Sequence, residues 1–218
     1  MHWSDVMANR LAERGNKHII ATGITPSGEF HIGHLREILT GDMIARAARK
    51  AGMEAELVFV VDNADPLRKV YPFLDEAYEA FIGHQLGSIP APDSEGKPDW
   101  ARFNEEGWTY GDHFLQPFLD ALRQIGVVPK LLPNLAAYRS GKFAEAARTA
   151  CDRADEVREI IERVSGRELP DGWFPWQPLD SNGSLDGVTV KGYEFPYVHW
   201  VDSTGAQGSS NIEKGEGK

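Results

Sequence analysis

The chain has 218 residues, of which 41% are hydrophobic, and this is enough for one large globular domain or for a domain with a sizeable insertion. Its formal net charge of −10 disfavours nonspecific binding to nucleic acids and to anionic membrane surfaces. Its single cysteine, Cys151, excludes an intrachain disulfide and a cysteine-rich zinc site.

The first predicted element is a helix over residues 3–14. This segment is amphipathic and charged, so it lacks the uninterrupted apolar core of a signal peptide. Elsewhere no apolar run approaches the roughly 20 residues that a membrane span needs. These features predict a cytoplasmic protein that does not interact with a membrane.

A strand, a glycine-rich turn, a long helix and a second strand are predicted next. HIIATG (18–23) is short, apolar and partly β-branched, which is typical of a buried parallel strand. Residues 31–50 have helical periodicity, and ELVFVVDN (56–63) is the clearest strand in the chain. Together they predict a right-handed βαβ unit and therefore a parallel sheet.

The middle of the chain combines helical periodicity with one polar insertion. We expect helices over 73–86 and 112–125, a third strand over 127–133 and a strongly amphipathic helix over 142–164. The Pro- and Gly-rich segment 88–111 is predicted to be an insertion. No internal repeat is predicted.

The composition changes after Gly166, where turn residues become dense and short β-like pieces such as GVTVKGYEF and YVHWVD appear. We therefore predict an α/β, Rossmann-like catalytic domain over 1–166, with a parallel sheet. A small β-rich subdomain is expected at 167–211, and a return to the catalytic domain at 212–218.

The stretch TGITPSGEFHIGHLRE (22–37) lies where a parallel sheet binds its ligands, just beyond the carboxyl end of the first strand. Its glycines allow close approach of the backbone, its proline stiffens the turn, and its hydroxyls offer hydrogen bonds. These residues are Gly23, Thr25, Pro26, Ser27 and Gly28.

Two histidines, His31 and His34, lie three residues apart on the first turn of the long helix, hence on one face. Between them, Gly33 leaves room for a flat ring to pack on the backbone. Unpaired amides at this helix end favour an anion, and the imidazoles suit a phosphoryl group whose charge grows in the transition state. The alternative is that the histidines only cap and pack. The combination of strand, turn, histidine pair and helix favours phosphate binding.

His31 to His34 spell HIGH, the signature of class I aminoacyl-tRNA synthetases and their nucleotidyltransferase relatives. GITPSGEFHIGHLRE (23–37) resembles more narrowly the class I lysyl-tRNA synthetases. DNADPLRKVYPFL (62–74) and IEKGEGK (212–218) resemble two further segments of that family. The similarity covers nearly the whole chain, in order.

This resemblance implies a HIGH-type fold that activates L-lysine with ATP and Mg²⁺ and transfers the lysyl group to the acceptor end of tRNA(Lys). It implies catalytic roles for His31 and His34. The implied ATP-binding residues are Pro26, Ser27, Gly28, His31, Gly33 and His34. The implied lysine-binding residues are Gly23, Thr25 and Asp65.

Asp62 and Asp65 follow the second strand on the ligand side of the sheet. One of them is suited to pair with the substrate ammonium. Alternatively, Asp65 starts a turn together with Pro66, and the charges of Arg68 and Lys69 neutralise the aspartates. The sequence leaves both possibilities open.

Compared with the family, the chain lacks a KMSKS-type lysine loop and the helical anticodon-binding region. We expect it to be the N-terminal catalytic part of a longer lysyl-tRNA synthetase, and we do not expect these 218 residues alone to carry out full aminoacylation. Two alternatives stay open. One is a stand-alone paralogue that binds ATP, an amino acid or tRNA without full aminoacylation. The other is a different nucleotidyltransferase of the HIGH superfamily.

Some family members carry cysteine pairs for a metal where this chain has LDSNGS (179–184) and VDSTGAQG (201–208). The insertion also lacks the Cys-His pair expected there, which leaves His113 without obvious partners. We therefore expect metal-free structural turns, no metal ligands and no structural zinc.

Overall fold

The computed structural model describes residues 2–218, and its contacts group the chain into two compact units. Unit 1 consists of residues 1–63, 90–92 and 99–134, and unit 2 of residues 64–89, 93–98 and 135–218. The domain boundaries expected from the sequence, at residues 166 and 211, stay predictions. Of the helices in the described part of the chain, none combines the length and the apolar composition of a membrane span.

Unit 1 is built on a three-stranded parallel sheet with the order β1-β2-β3. Its elements in chain order are α1 (Trp3–Ala12), β1 (Lys17–Ile24), α2 (Ile32–Lys50), β2 (Glu54–Val61), α3 (Trp100–Glu106), α4 (Tyr110–Gln124) and β3 (Lys130–Pro133). The α/β class with a parallel sheet is therefore confirmed. The helix α4 begins two residues earlier than expected because Thr109 caps it, accepting the N–H of Asp112 at 3.2 Å.

The core of unit 1 lies between the sheet and two helices. Leu57, Phe59 and Val61 alternate along β2 and are buried. They pack with residues of α2 and α4, including Ile38 and Leu122. Full burial of each such side chain stabilises the fold by about 1.5–3 kcal/mol.

Close packing of α2 on the sheet depends on a glycine. A Cβ atom added at Gly41 would lie 2.6 Å from Cγ2 of Thr22 and 3.1 Å from Cδ1 of Leu57. The helix therefore approaches the strands more closely there than any residue with a side chain allows.

Unit 2 contains an antiparallel sheet of order β4-β5-β6 and three helices. These elements are α5 (Asn134–Arg139), α6 (Ala144–Asp152), α7 (Ala154–Ser165), β4 (Thr189–Glu194), β5 (Tyr197–Val201) and β6 (Gln207–Asn211). Asn134, the first residue of α5, is counted with unit 1. The core includes Cys151, Trp176, Val198 and Ile212.

The helix predicted over 73–86 is wrong. The structure has only a 3₁₀ helix there, Glu76–Phe81. Beyond it, the N–H of Gly83 donates to the carbonyl of Leu67, and the N–H of Leu67 donates to the carbonyl of His84. Pairing with this neighbouring segment uses the backbone groups that a continuing helix would need.

The single helix predicted over 142–164 is also wrong, because it breaks at Arg153 into α6 and α7. Cys151 of α6 is buried in the unit 2 core, and Asp152 accepts a hydrogen bond from the Tyr193 hydroxyl at 2.9 Å. In contrast, α7 has no buried residue. The two halves therefore have different packing environments, although their periodicity is continuous in sequence.

Short elements were not predicted. Within the polar insertion, α3 forms because the Asp99 carboxylate accepts the N–H of Arg102 at 3.0 Å. The helix α5 and the strand β6 were likewise missed, whereas the β-like pieces around β4 and β5 were correctly predicted.

Three turns share the sequence Asp-Ser-x-Gly and the same hydrogen bonds, a repeat that the sequence analysis missed. They begin at Asp93, Asp180 and Asp202. Each aspartate Oδ1 accepts the N–H groups two and four residues later, at 2.8–3.0 Å. Each glycine has a φ between +82° and +89°. The turns at Asp180 and Asp202 lie in LDSNGS (179–184) and VDSTGAQG (201–208), and in each of them a carboxylate supplies the internal acceptor.

Candidate functional site

The helix α2 begins with a reciprocal cap made by two histidines. Nδ1 of His31 accepts the N–H of Gly33 at 3.0 Å, and Nδ1 of His34 accepts the N–H of His31 at 2.9 Å. A Cβ atom at Gly33 would lie 2.7 Å from Cε1 of His31. Gly33 is therefore required because the His31 ring lies directly against its backbone. We expected a flat ring to pack on the backbone of Gly33, and in the structure the imidazole of His31 occupies part of that space.

The cap determines which nitrogen of each ring carries hydrogen. Since Nδ1 accepts a backbone N–H in both His31 and His34, each neutral ring has its hydrogen on Nε2. Neither Nε2 has a hydrogen-bond partner within residues 2–218. The ring centroids are 4.0 Å apart. The site therefore presents two neighbouring N–H donors.

Electrostatics favour the neutral form of His34. Burial lowers the pKa of His34, and the nearby His31 ring lowers it further, because a second positive charge there is unfavourable. Protonation at Nδ1 would also remove the acceptor that caps α2. The neutral, donor-presenting form is thus the form that the local structure stabilises.

The open backbone amides lie in the turn and at the first residue of α2. Further into the first turn of α2 the N–H of Gly33 bonds to His31, and that of His34 bonds to the His31 carbonyl at 2.9 Å. By contrast, the N–H groups of Gly28, Glu29, Phe30 and Ile32 have no partner within the described chain. The amides available to an anion therefore run from the turn to the start of the helix.

The helix α4 contacts this turn through a hydrogen bond and an aromatic stack. The hydroxyl of the fully buried Tyr110 donates to the carbonyl of Ser27 at 2.8 Å. Phe118 stacks on Phe30 with centroids 4.4 Å apart, and Phe30 contacts the His34 ring at 5.0 Å. Sequence reasoning missed these residues, since nothing in the pattern links positions 83 residues apart.

Two clefts of unit 1 adjoin the histidine pair. One, of about 590 Å³, runs along the exposed face of α2. It is lined by Ile32, Gly33, Arg36, Leu39, Thr40 and Met43. The other, of about 340 Å³, includes Phe30 and His113. The pKa of His113 is lowered by its burial and by the charge of Arg102, so this ring too is neutral.

A family model described as tRNA synthetases class I (K) matches residues 1–218 of the chain. The chain belongs to that family.

Archaeal lysine--tRNA ligases are among its relatives. The chain is 41% identical to that of Archaeoglobus fulgidus over 95% of its length, and 39% identical to lysine--tRNA ligase 1 of Methanosarcina acetivorans over 96%. It is 35% identical to that of Thermoplasma volcanium over its whole length. These alignments cover 40%, 38% and 41% of the respective relatives, so the chain spans about two fifths of their length.

The residues that the class I resemblance assigned to ATP are brought together in unit 1. Pro26 is buried, Ser27 and Gly28 are half-buried, and all three lead directly into the histidine cap. Gly23 lies in β1, and Thr25 follows it, its carbonyl accepting the N–H of Ser27 at 2.9 Å. Their assignment to ATP and lysine stays a prediction.

Asp65, the third residue assigned to lysine, belongs to unit 2. Its carboxylate forms an ion pair with Lys218, a partner that the sequence did not suggest. Its backbone carbonyl accepts the N–H of Leu86 at 2.9 Å, and the adjacent Pro66 pairs with Gln85. Asp65 therefore has structural contacts within unit 2, and its assignment to lysine stays a prediction.

Within residues 2–218, no three or more histidine, cysteine, aspartate or glutamate side chains are arranged to hold a metal ion.

Proposed function

We propose that this chain binds ATP and L-lysine and, as the N-terminal catalytic part of a class I lysyl-tRNA synthetase, activates lysine to lysyl-adenylate. The same protein then transfers the lysyl group to tRNA(Lys). The family and the names of the archaeal relatives support this reaction. The observation that carries it is the histidine cap, which leaves two Nε2–H donors open at the start of α2.

The phosphates of ATP would lie over the turn that precedes α2. Open N–H groups at Gly28, Glu29 and Phe30 offer backbone donors there, and the positive end of α2 favours negative charge. The Nε2–H groups of His31 and His34 add donors that need no charge of their own. Such donors are held in place before the reaction, so they cost little reorganisation when charge develops.

In the first step a carboxylate oxygen of lysine attacks the α-phosphorus of ATP. A new P–O bond forms, the bond to the β-phosphate oxygen breaks, and pyrophosphate leaves. No protein nucleophile is required, so the protein contributes positioning and stabilisation of the growing phosphoryl charge. In the second step a hydroxyl of the terminal adenosine of the tRNA attacks the lysyl carbonyl, and AMP leaves.

The adenine would lie along the groove on α2. This groove begins at Gly33, and Ile32 on its wall is 78% exposed, which leaves apolar surface for a flat base. Lysine would bind at the carboxyl end of β1, near Gly23 and Thr25. The carboxyl ends of parallel strands are where α/β sheets bind their ligands, which supports this placement.

Lysine-dependent ATP–pyrophosphate exchange tests the proposal. It is to be measured on this chain and on the longest native open reading frame that contains it. We expect exchange with lysine in the longer protein and none with arginine or ornithine at the same concentration. Exchange with a different carboxylic acid would identify another nucleotidyltransferase. ATP binding without exchange in either protein would identify a binding paralogue.

A further inference from the structure

We propose that Tyr110 is a positioning residue for the nucleotide-binding turn, acting through the carbonyl of Ser27. This inference rests on the proposed function, because it assigns Tyr110 a part in binding ATP. It does not require Tyr110 to touch any substrate.

The hydrogen bond is the kind that constrains a turn. The Tyr110 side chain is 0% exposed, and its hydroxyl donates to the Ser27 carbonyl at 2.8 Å. Ser27 immediately precedes the open N–H groups of Gly28, Glu29 and Phe30. Holding the Ser27 carbonyl fixes the peptide plane that carries the N–H of Gly28, because both atoms belong to the same planar unit.

Tyr110 is itself firmly held, as it is the first residue of α4. Its neighbours form a capping box in which the Asp112 carboxylate accepts the Thr109 N–H at 3.1 Å and the Thr109 hydroxyl at 2.6 Å. A tyrosine has only two side-chain torsions, and full burial on a capped helix leaves Tyr110 little freedom to move. The position of the hydroxyl is therefore set by α4, independently of the turn.

A second contact ties the other end of the turn to the same helix. Phe118, two turns further along α4, stacks on Phe30 at an interplanar angle of 17°. Phe30 in turn packs on His34 at 5.0 Å. One rigid helix thus fixes both ends of residues 27–30, and through Phe30 it supports the histidine that presents an N–H donor.

Tyr110→Phe tests the inference, since it removes one hydroxyl and keeps the ring. Tyr193→Phe is the matched control, because the Tyr193 hydroxyl donates to Asp152 at 2.9 Å in unit 2. We expect both variants to lower the melting temperature. Only Tyr110→Phe is expected to weaken Mg-ATP binding, by about three- to tenfold in calorimetry well below the melting temperature. Equal ATP affinity in wild type, Tyr110→Phe and Tyr193→Phe would reduce Tyr110 to a stabilising residue and overturn the proposal.

A ligand-free readout separates failure of this inference from failure of the proposed function. If the wild-type protein binds no ATP, the proposed function fails, and the amide NMR signals of Gly28, Glu29 and Phe30 are compared instead. If Tyr110 positions the turn, we expect these signals to shift in Tyr110→Phe and to stay in place in Tyr193→Phe. Unshifted signals in Tyr110→Phe overturn it. If Tyr110→Phe does not fold, Phe118→Leu, which removes the stacking on Phe30 and retains an apolar side chain, is expected to shift the Phe30 and His34 signals.

Discussion

The start of α2 and the three Asp-Ser-x-Gly turns use the same local device with different side chains. In both, a side chain accepts backbone N–H groups of residues that follow it. In the turn at Asp202, one oxygen, Oδ1, accepts the N–H of Thr204 at 2.8 Å and of Ala206 at 3.0 Å. At α2, a ring nitrogen of His31 accepts the N–H of Gly33.

The two kinds of cap differ in the hydrogen-bonding groups that remain available on the side chain after it has capped the backbone. A carboxylate offers only acceptors and carries negative charge, so it stabilises a turn but repels phosphate. A neutral imidazole has its two nitrogens on different sides of the ring, so capping with Nδ1 leaves Nε2–H as a donor. An aspartate cap therefore offers no donor, whereas a histidine cap also presents one.

The glycines of the two regions are needed for different reasons. Gly33 has an ordinary φ, but a Cβ there would collide with the His31 ring. Gly205 has a φ of +89° and nothing within 4 Å of a Cβ. One glycine is required by contact and the other by backbone conformation.

The largest expected effect follows from removing a donor at α2. His34→Ala should slow lysine-dependent exchange tens- to a thousandfold, the range for one lost transition-state donor. His18→Ala is the matched control, because among the described residues the His18 ring bonds only to the Gly15 carbonyl, at 2.9 Å, at the opposite end of β1. Unchanged exchange in His34→Ala would remove this histidine from the mechanism.

His34→Asp tests the Nε2–H donor separately from the cap, because an aspartate can still accept the N–H of His31 but has no N–H to donate. The helix α1 already has this combination, in which His2 accepts the N–H of Ser4 and Asp5 accepts the N–H of His2 at 3.1 Å. The variant should therefore keep a capped α2 and a near wild-type melting temperature. Its exchange should fall at least as far as that of His34→Ala, because it loses Nε2–H and gains negative charge. Exchange at the wild-type rate would show that the cap alone matters.

Local patterns predicted much of the fold and the residues that form the turn. The βαβ unit could be predicted because β1 and β2 have apolar runs and α2 has a clear helical period. The three-residue spacing of His31 and His34 could be recognised in the sequence, and in the structure it is the spacing of a reciprocal cap between the N-cap residue and the third helical residue. In these cases the deciding interactions lie within a few residues of each other.

The elements and contacts that could not be predicted from the sequence depend on residues that are far apart in the chain. Residues 82–86 are not helical because their backbone groups pair with residues 65–67. The helix breaks at Arg153, where the packing of the two sides differs. Likewise, the bond from Tyr110 to Ser27 spans 83 residues and has no periodic signature. Propensity and period carry no information about such partners.

A smaller effect is expected from the glycine that is required by its backbone. Gly205→Ala should destabilise the protein by about 1–2 kcal/mol, the cost of a left-handed conformation for a residue with a Cβ. Gly205→Asn should cost less, since asparagine tolerates this region better. Gly192→Ala is the control, because its φ is ordinary and its nearest contact would be 3.5 Å from His199. Urea denaturation measures all three. Equal losses in Gly205→Ala and Gly192→Ala would contradict the conformational explanation.

The smallest expected effect is a pH dependence of the aspartate caps. The Thr204 hydroxyl and the N–H groups of Thr204 and Ala206 hold the pKa of Asp202 below its ordinary value. The unfolded chain therefore binds this proton more readily than the folded chain. The stabilisation is fully present above the unfolded pKa, near 4, and is lost as the pH falls through the lower folded pKa.

Asp202→Asn isolates this contribution, because it keeps an Oδ1 acceptor for the turn and removes the titration. We expect a Tm about 2–4 °C below wild type at pH 6, as for one weakened cap in a chain of this size. That gap should narrow between pH 4 and pH 2.5 as the wild-type carboxyl becomes protonated. Asp171→Asn is the control, since its carboxylate accepts no hydrogen bond within residues 2–218. Tm–pH curves for wild type and Asp202→Asn that stay parallel down to pH 2.5 would mean that the cap works without its charge. The Nε2–H donors would then be the chemical feature that still distinguishes the histidine cap from the aspartate turns.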